Sequence, residues 1–233
     1  MHVDYTFNQI AKGIFHIQVK DPYDLAMLFL RVQEYYESPY KKIRNKMFSV
    51  LDFMKIYSKK FGGNFTYATD WGGFNIPGKV MEKLYVTNGK SIPDWNFYDD
   101  KLKELHDCAK SVNKLGGSNY YVIGTRPHDK STLDHELCHA YFSLSKQYKK
   151  EVLSVTKKLS EKTLKKIKDC LIDIGYSKEV MEDEIQAYLT NDLEDVLYET
   201  DFTFKEEQKL HKASEQLKAI FDKFHQQYFI KTS

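Results

Sequence analysis

An α+β fold is predicted for this chain by three observations. The first 146 residues mix short β-type runs with helical ones. Every periodic stretch beyond residue 146 repeats at helical spacing. One helical stretch between the two regions, around residues 132–144, carries the only strong chemical pattern in the chain. The expected arrangement is a single domain: an N-terminal α/β lobe over residues 1–146, with a small mixed or antiparallel sheet, and a helical lobe over 147–233. A chain of 233 residues, 42% hydrophobic and 15% aromatic, has enough apolar side chain for a packed core.

In chain order, Gly13 to Val19 largely alternates apolar and polar residues and predicts a half-buried strand, with His16 an ordinary strand residue. Asp21-Pro22 supplies an N-cap and a first-turn proline for a helix through Leu25, Leu28, Phe29 and Val32, ending near Ser38-Pro39. Ile43, Met47, Val50, Met54 and Tyr57 predict a second helix, stopped by Gly62-Gly63, with that stripe facing the core. Asn64 to Thr69 reads as a strand. Trp71 to Gly78, with its glycines and proline, reads as a loop whose aromatics cover the core or line a substrate pocket, the covering role being favoured. Periodicity leaves Lys79 to Val86 open between helix and strand, and Thr87 to Asp94 carries turn residues. A helix from about Asp99 to Leu115 ends at Gly116-Gly117, and Ser118 to Thr125 is a β-rich run.

Beyond the chemical stretch, Lys146 to Lys168 is studded with lysine, and Val152, Val155, Leu159, Leu164, Ile167, Leu171 and Ile174 keep helical spacing until Gly175. Such a helix pair reads as a solvated face. Ser177 is placed to cap the next helix. A long amphipathic helix is expected from about Lys205 to Ile230.

Composition excludes some classes of function. Thirty-five basic and 33 acidic residues leave a net charge of +2, so no overall field favours nucleic acid or an anionic membrane. The start lacks a basic region followed by an apolar one, and no apolar run approaches the roughly 18 residues of a membrane span, so a cytoplasmic place is expected. The three cysteines form no CxxC pair and suit free thiols.

The chemical stretch runs from Thr132 to Tyr141 and contains His135-Glu136-x-x-His139. Residues four apart share a helix face, so the rings of His135 and His139 can reach one metal ion. Glu136 lies about 100° round the helix from His135, able to touch a water on that metal but poorly aimed to ligate it. Leu133, Leu137, Ala140, Tyr141 and Leu144 fall at helical spacing, and Ser131-x-x-Asp134 reads as a capping box. With eight histidines in the chain, chance supplies about 0.02 such patterns. Cys138, about 60° from His135, offers a thiolate, although small buried helix positions commonly take Cys.

This pattern resembles the zincin metallopeptidases. Phe142 and Ser145 stand where one large zincin group has a glycine and a third histidine, so that group is excluded. Glu182-Asp183-Glu184-Ile185-Gln186-Ala187-Tyr188 is similar instead to the gluzincin plan, in which a glutamate on a downstream helix completes the site. Among these acids Glu184 has Val180, Met181, Ala187 and Tyr188 one turn away on either side. A carboxylate turned into such a face is costly unless a cation neutralises it. Asp183 and Glu182 have wetter surroundings and come next, and His211 and His225 are reserve ligands. Where gluzincins often carry an acid four residues after the third ligand, this chain has Tyr188, which could bond a ligand, stabilise an oxyanion or only pack.

The resemblance implies Zn2+ held by His135, His139 and Glu184 in a cleft between the lobes, with Glu136 as general base in the hydrolysis of a peptide or protein substrate. It also implies that main-chain groups near Val122 to Gly124 pair with an extended substrate, while the residues by themselves read equally as another core strand. Two other readings stay open. A non-catalytic zinc protein would need a fourth ligand, such as Cys138 or a downstream histidine. A metal-free interaction protein would use the basic helices as its surface and would need a cationic partner for Glu184.

Overall fold

The computed structural model describes residues 2–87 and 92–229, and the architecture is α+β. The expected turn over Thr87 to Asp94 falls partly on residues 88–91, and the expected helix end at Ile230 falls beyond residue 229. Both lie outside the described residues. The chain forms two compact units, one of residues up to Thr132 and one of residues from Leu133.

The first unit is built on a four-stranded mixed sheet of β1 (Tyr5–Ala11), β2 (Ile14–Val19), β3 (Gly73–Pro77) and β4 (Tyr121–Thr125), in the order β1-β2-β4-β3. β1 and β2 form an antiparallel hairpin with Tyr5 opposite Val19, turned by Gly13 at φ 75°. β2 runs parallel to β4, with Ile14 opposite Tyr121, and β3 runs antiparallel to β4, with Gly73 opposite Thr125. β2 is therefore interior and almost wholly buried rather than half-buried. His16 is sealed in it, its Nε2 2.9 Å from Thr125 Oγ1, and burial pulls its pKa down to about 4.

β4 is hydrogen-bonded on both sides, which overturns the expected role of Val122 to Gly124. Their main-chain groups are already paired with β2 and β3, so no peptide can add there. The unpaired edges of the sheet belong to β1 and β3.

Helix α1 (Pro22–Glu37) follows the sequence closely: the Asp21 carboxylate accepts from Tyr23 N and Asp24 N, and Ser38 ends it. It packs on the sheet where β4 has no side chain in the way. A Cβ on Gly124 would stand 2.3 Å from the Phe29 ring. Arg31 is buried on the same helix and satisfied by Asp99 (Nε to Oδ1 2.7 Å), Phe48 O (2.7 Å) and Asp94. Glu34, also buried, accepts from the Tyr67 hydroxyl at 2.9 Å.

Three expected elements come out differently. α2 spans only Val50–Lys60, because Ser49 caps it and Asn45 turns the preceding chain at φ 58°. Ile43 is still buried, from a turn rather than a helix. The strand expected over Asn64 to Thr69 is instead irregular chain leading into the short helix α3 (Tyr67–Asp70). Asp70 there accepts from both Tyr57 and Thr66. The loop expected over Trp71 to Gly78 is largely the edge strand β3, with Phe74 buried. Residues 78–87 resolve into α4 (Gly78–Met81) and a π-helical turn (Glu82–Thr87). α5 (Phe97–Val112) starts from an Asn96/Asp99 capping box.

The second unit is all helical: most of α6 (Lys130–Leu144), then α7 (Lys146–Thr156), α8 (Glu161–Ile174), a 3₁₀ turn (Lys178–Val180), α9 (Met181–Asn191), α10 (Leu193–Glu199) and α11 (Phe204–Tyr228). α6 begins two residues earlier than its expected capping box allows. Asp129 accepts from Thr132 N at 3.2 Å, leaving Ser131 inside the helix. From Glu136 to Phe142 every residue of α6 is buried. Ser177 precedes the 3₁₀ turn without a capping bond of its own. No helix among the described residues is long and apolar enough to cross a membrane.

Candidate metal centre

The site lies wholly within the second unit, on α6 and α9. His135 and His139 stand one turn apart on α6 with their rings 5.0 Å apart, and their Nε2 atoms approach to 3.1 Å. Glu184, in the first turn of α9, places Oε2 3.7 Å from His139 Nε2. One ligand atom from each of the three lies within 4.8 Å of the others, and they are the only such group of three or more among the described residues. His139 and Glu184 are each 2% exposed.

Each imidazole is anchored on its far side by a carboxylate. His135 Nδ1 lies 2.5 Å from Asp192 Oδ2, and His139 Nδ1 lies 2.9 Å from Asp183 Oδ1. A neutral histidine that donates its Nδ1 proton to a carboxylate presents the lone pair of Nε2, which is the tautomer a metal requires. Asp183 is itself held: Gln186 Nε2 donates to its Oδ1 at 3.0 Å, and the Tyr148 hydroxyl donates to Gln186 Oε1 at 3.0 Å. A chain of bonds from α7 through α9 to α6 thus fixes the ring of His139.

Electrostatics favour a cation here. Burial alone would lower the pKa of His139, but Asp183 and Glu184 outweigh it and hold the ring well above its ordinary 6.5. Glu136 is buried beside them, 6% exposed, and its charge acts on His139 and on Tyr176. Four carboxylates therefore surround two imidazoles, and the cluster draws positive charge.

The three donors could hold a metal ion, with all ligand atoms within 4.8 Å of one another. Two donors about 2.0–2.1 Å from a tetrahedral zinc stand roughly 3.3 Å apart, and the spacings here are 3.1 Å between the imidazole nitrogens and 3.7 Å from nitrogen to carboxylate oxygen. Two imidazoles and one carboxylate form the three-ligand set that leaves a position open.

Two tyrosines border the cluster. The Tyr188 ring meets His135 edge-on, with centroids 5.1 Å apart, and its hydroxyl is 3.2 Å from that of Tyr176. Burial first, and Glu184 after it, raise the pKa of both phenols, so each stays a protonated hydroxyl.

The structure brings together His135, His139 and Glu184, with Glu136 beside them. Asp183, the second choice for third ligand, holds His139 from behind. Glu182 is exposed. Cys138 is buried with its thiol accepting from Asn191 Nδ2 at 3.2 Å, and burial keeps it protonated. It is not in the ligand group. His211 is exposed on α11, and His225 stacks on Phe221 with its Nδ1 3.4 Å from the Tyr141 hydroxyl. Neither joins the group.

Sequence reasoning missed Asp192, Gln186, Tyr148 and Tyr176. Asp192 follows Glu184 by eight residues and stands at the C-cap of α9, a place that no spacing in the sequence links to His135. No protein-family model matches this chain, and no curated protein and no solved structure matches it either.

Proposed function

We propose that the protein is a zinc-dependent peptidase of the gluzincin kind, its metal held by His135, His139 and Glu184. The observation that carries this reading is the convergence of those three donors, with a carboxylate behind each imidazole. The fold class agrees with a small zincin-like protein at the level of α+β. The further likeness rests on the motif and the donor set.

When bound, zinc supplies Lewis acidity, making water nucleophilic near neutral pH and polarising an amide carbonyl. The chain's own residues do the rest. Glu136 accepts the proton of the attacking water on a carboxylate oxygen and returns it to the leaving amide nitrogen. Asp192 and Asp183 keep both imidazoles in the tautomer that faces the ion. The Tyr176 and Tyr188 hydroxyls, 3.2 Å apart, are neutral donors offered for the oxygen on which charge develops, Tyr188 with its ring against His135.

A zinc site kept for structure is less well supported. It would need a fourth protein ligand, and Cys138 is directed to Asn191 instead. The test combines metal content with digestion of an unbiased peptide library. The wild type should hold one zinc per chain and cleave peptides. Glu136→Gln should hold the same zinc and cleave none, and Glu184→Ala should lose the metal. A wild-type protein without stoichiometric zinc, or Glu136→Gln with full activity, defeats the proposal.

A further inference from the structure

We propose that a groove between α8 and the start of α9 receives the exposed acidic and aromatic turn between α10 and α11 of a second copy of this chain, joining copies head to tail. The groove encloses about 560 Å3 over an apolar floor of Leu164, Ile172 and Met181. Its rim carries three lysines, Lys165, Lys168 and Lys178, against two carboxylates, Glu161 and Asp169, and is basic by one charge. Lys165 is paired with Asp169, while Lys168 and Lys178 make no ion pair among the described residues.

The charge that would complement this rim is on the same chain. Residues 146–168 hold nine lysines against Glu151 and Glu161. Residues 179–204 hold nine acidic residues and no lysine or arginine. The net charge of +2 conceals this segregation. Within the acidic stretch stand the two most exposed large hydrophobic side chains among the described residues, Tyr198 at 88% and Phe204 at 74%, with Glu194, Asp195, Glu199 and Asp201 exposed beside them. Isolated exposed aromatics are ordinary. Two of them six residues apart, with four exposed carboxylates against the single exposed Lys205 beside Phe204, offer a contact surface of mainly negative charge.

The turn that carries them is already rigid, so little ordering is lost on docking. Lys166 donates to Asp201 O at 2.7 Å and to Glu206 at 2.9 Å, and its ammonium lies 5.1 Å from the centroid of the buried Phe202 ring. A Thr203/Glu206 capping box fixes the start of α11.

These bonds also decide whose groove the turn fills. Lys166 stands about 100° round α8 from Lys165 and about 160° from Lys168. A copy's own aromatic turn is therefore tied to a different side of α8 from its groove. The surfaces complement each other without being the same surface, which makes the contact heterologous, closing into a ring or continuing as a chain.

The test is sedimentation of the whole chain at about 0.05 M and about 0.5 M salt. The wild type should gain mass with concentration at low salt and return to monomer at high salt. Tyr198→Ser/Phe204→Ser removes the turn's aromatics and Lys168→Glu/Lys178→Glu reverses the rim. All four positions are surface-exposed, and circular dichroism checks that both variants fold. Each variant alone should weaken association about tenfold or more. Mixed one to one, the two should form a heterodimer that grows no further, because only one intact turn and one intact groove remain in each pair. A wild type that stays monomeric at low salt overturns the proposal, as does either variant assembling alone like the wild type or a mixture that stays monomeric. A synthetic 193–204 peptide that binds the groove of a monomeric wild type also overturns it, and assigns the groove to an acidic segment of another protein.

Discussion

His135 Nδ1 lies 2.5 Å from Asp192 Oδ2 across 57 residues of chain, and this bond ties the end of α9 to the middle of α6. With Asp183 on His139 it gives both imidazoles of the motif a carboxylate behind the ring. Such partners typically contribute 10–100-fold to metal affinity. Asp192→Ala and Asp183→Ala should each weaken zinc binding about 10–100-fold, read by competition with a chromogenic chelator, without abolishing it as Glu184→Ala would. Wild-type affinity in both variants would show that these carboxylates do not orient the rings.

The Tyr176 hydroxyl is bonded to that of Tyr188, and burial first, with Glu184 and Glu136 adding to it, raises its pKa and keeps it protonated. If peptide hydrolysis is the reaction, Tyr176→Phe should lower kcat about 10²-fold with little change in KM and no loss of zinc. The split between kcat and KM distinguishes a donor used in the transition state from one that only packs. A fall in zinc content, or an unchanged kcat, would remove Tyr176 from that role.

The site was legible wherever its geometry is local. His135 and His139 belong together because of a fixed four-residue offset, and Glu184 stood out because its helical neighbours are apolar, which the structure returns as 2% exposure. Asp192 was not legible, because its approach to His135 depends on how α9 ends and packs, which no periodicity encodes. The sheet divides the same way. β2 and β4 have strong β-type composition, whereas β3 lies between Gly72-Gly73 and Pro77, residues that read as loop. An edge strand tolerates a terminal proline, so the composition was sound and the inference from it was not. At Asn64 to Thr69 the β-type residues serve an aromatic cluster, with Phe65 and Tyr67 stacked at 5.8 Å, and packing overrode propensity.

Glu34 should impose a pH dependence on stability that is separate from the metal centre. Burial raises its pKa from an ordinary 4.5 to about 7. The folded state therefore binds more protons than the unfolded state between those values, so stability falls as pH rises from about 4.5 to about 7 and is level above. Glu34→Gln keeps an acceptor for the Tyr67 hydroxyl but cannot ionise. Relative to wild type it should gain on the order of 3 kcal/mol between pH 4.5 and pH 8, in urea titrations at a series of pH values. Parallel curves for the two proteins would show that Glu34 does not titrate in that window.

Arg31 is the corresponding test of the sheet-bearing unit. Its guanidinium is buried, bonded through Nε and Nη2 to both oxygens of Asp99, and linked to Asp94, whose carboxylate also accepts from Ser49 Oγ and Val50 N at the start of α2. One side chain thus joins α1, α2 and α5. Arg31→Met should lower the unfolding free energy by about 3–5 kcal/mol, because Asp99 is left charged, buried and unpaired. Arg31→Met with Asp99→Leu should recover most of that loss, since a well-packed apolar pair can replace a buried ion pair at little cost. If the double variant is no more stable than the single one in urea unfolding at unchanged m-value, the loss comes from the bonds to Phe48 O and Asp94 and from the Asn96/Asp99 capping box rather than from the stranded charge.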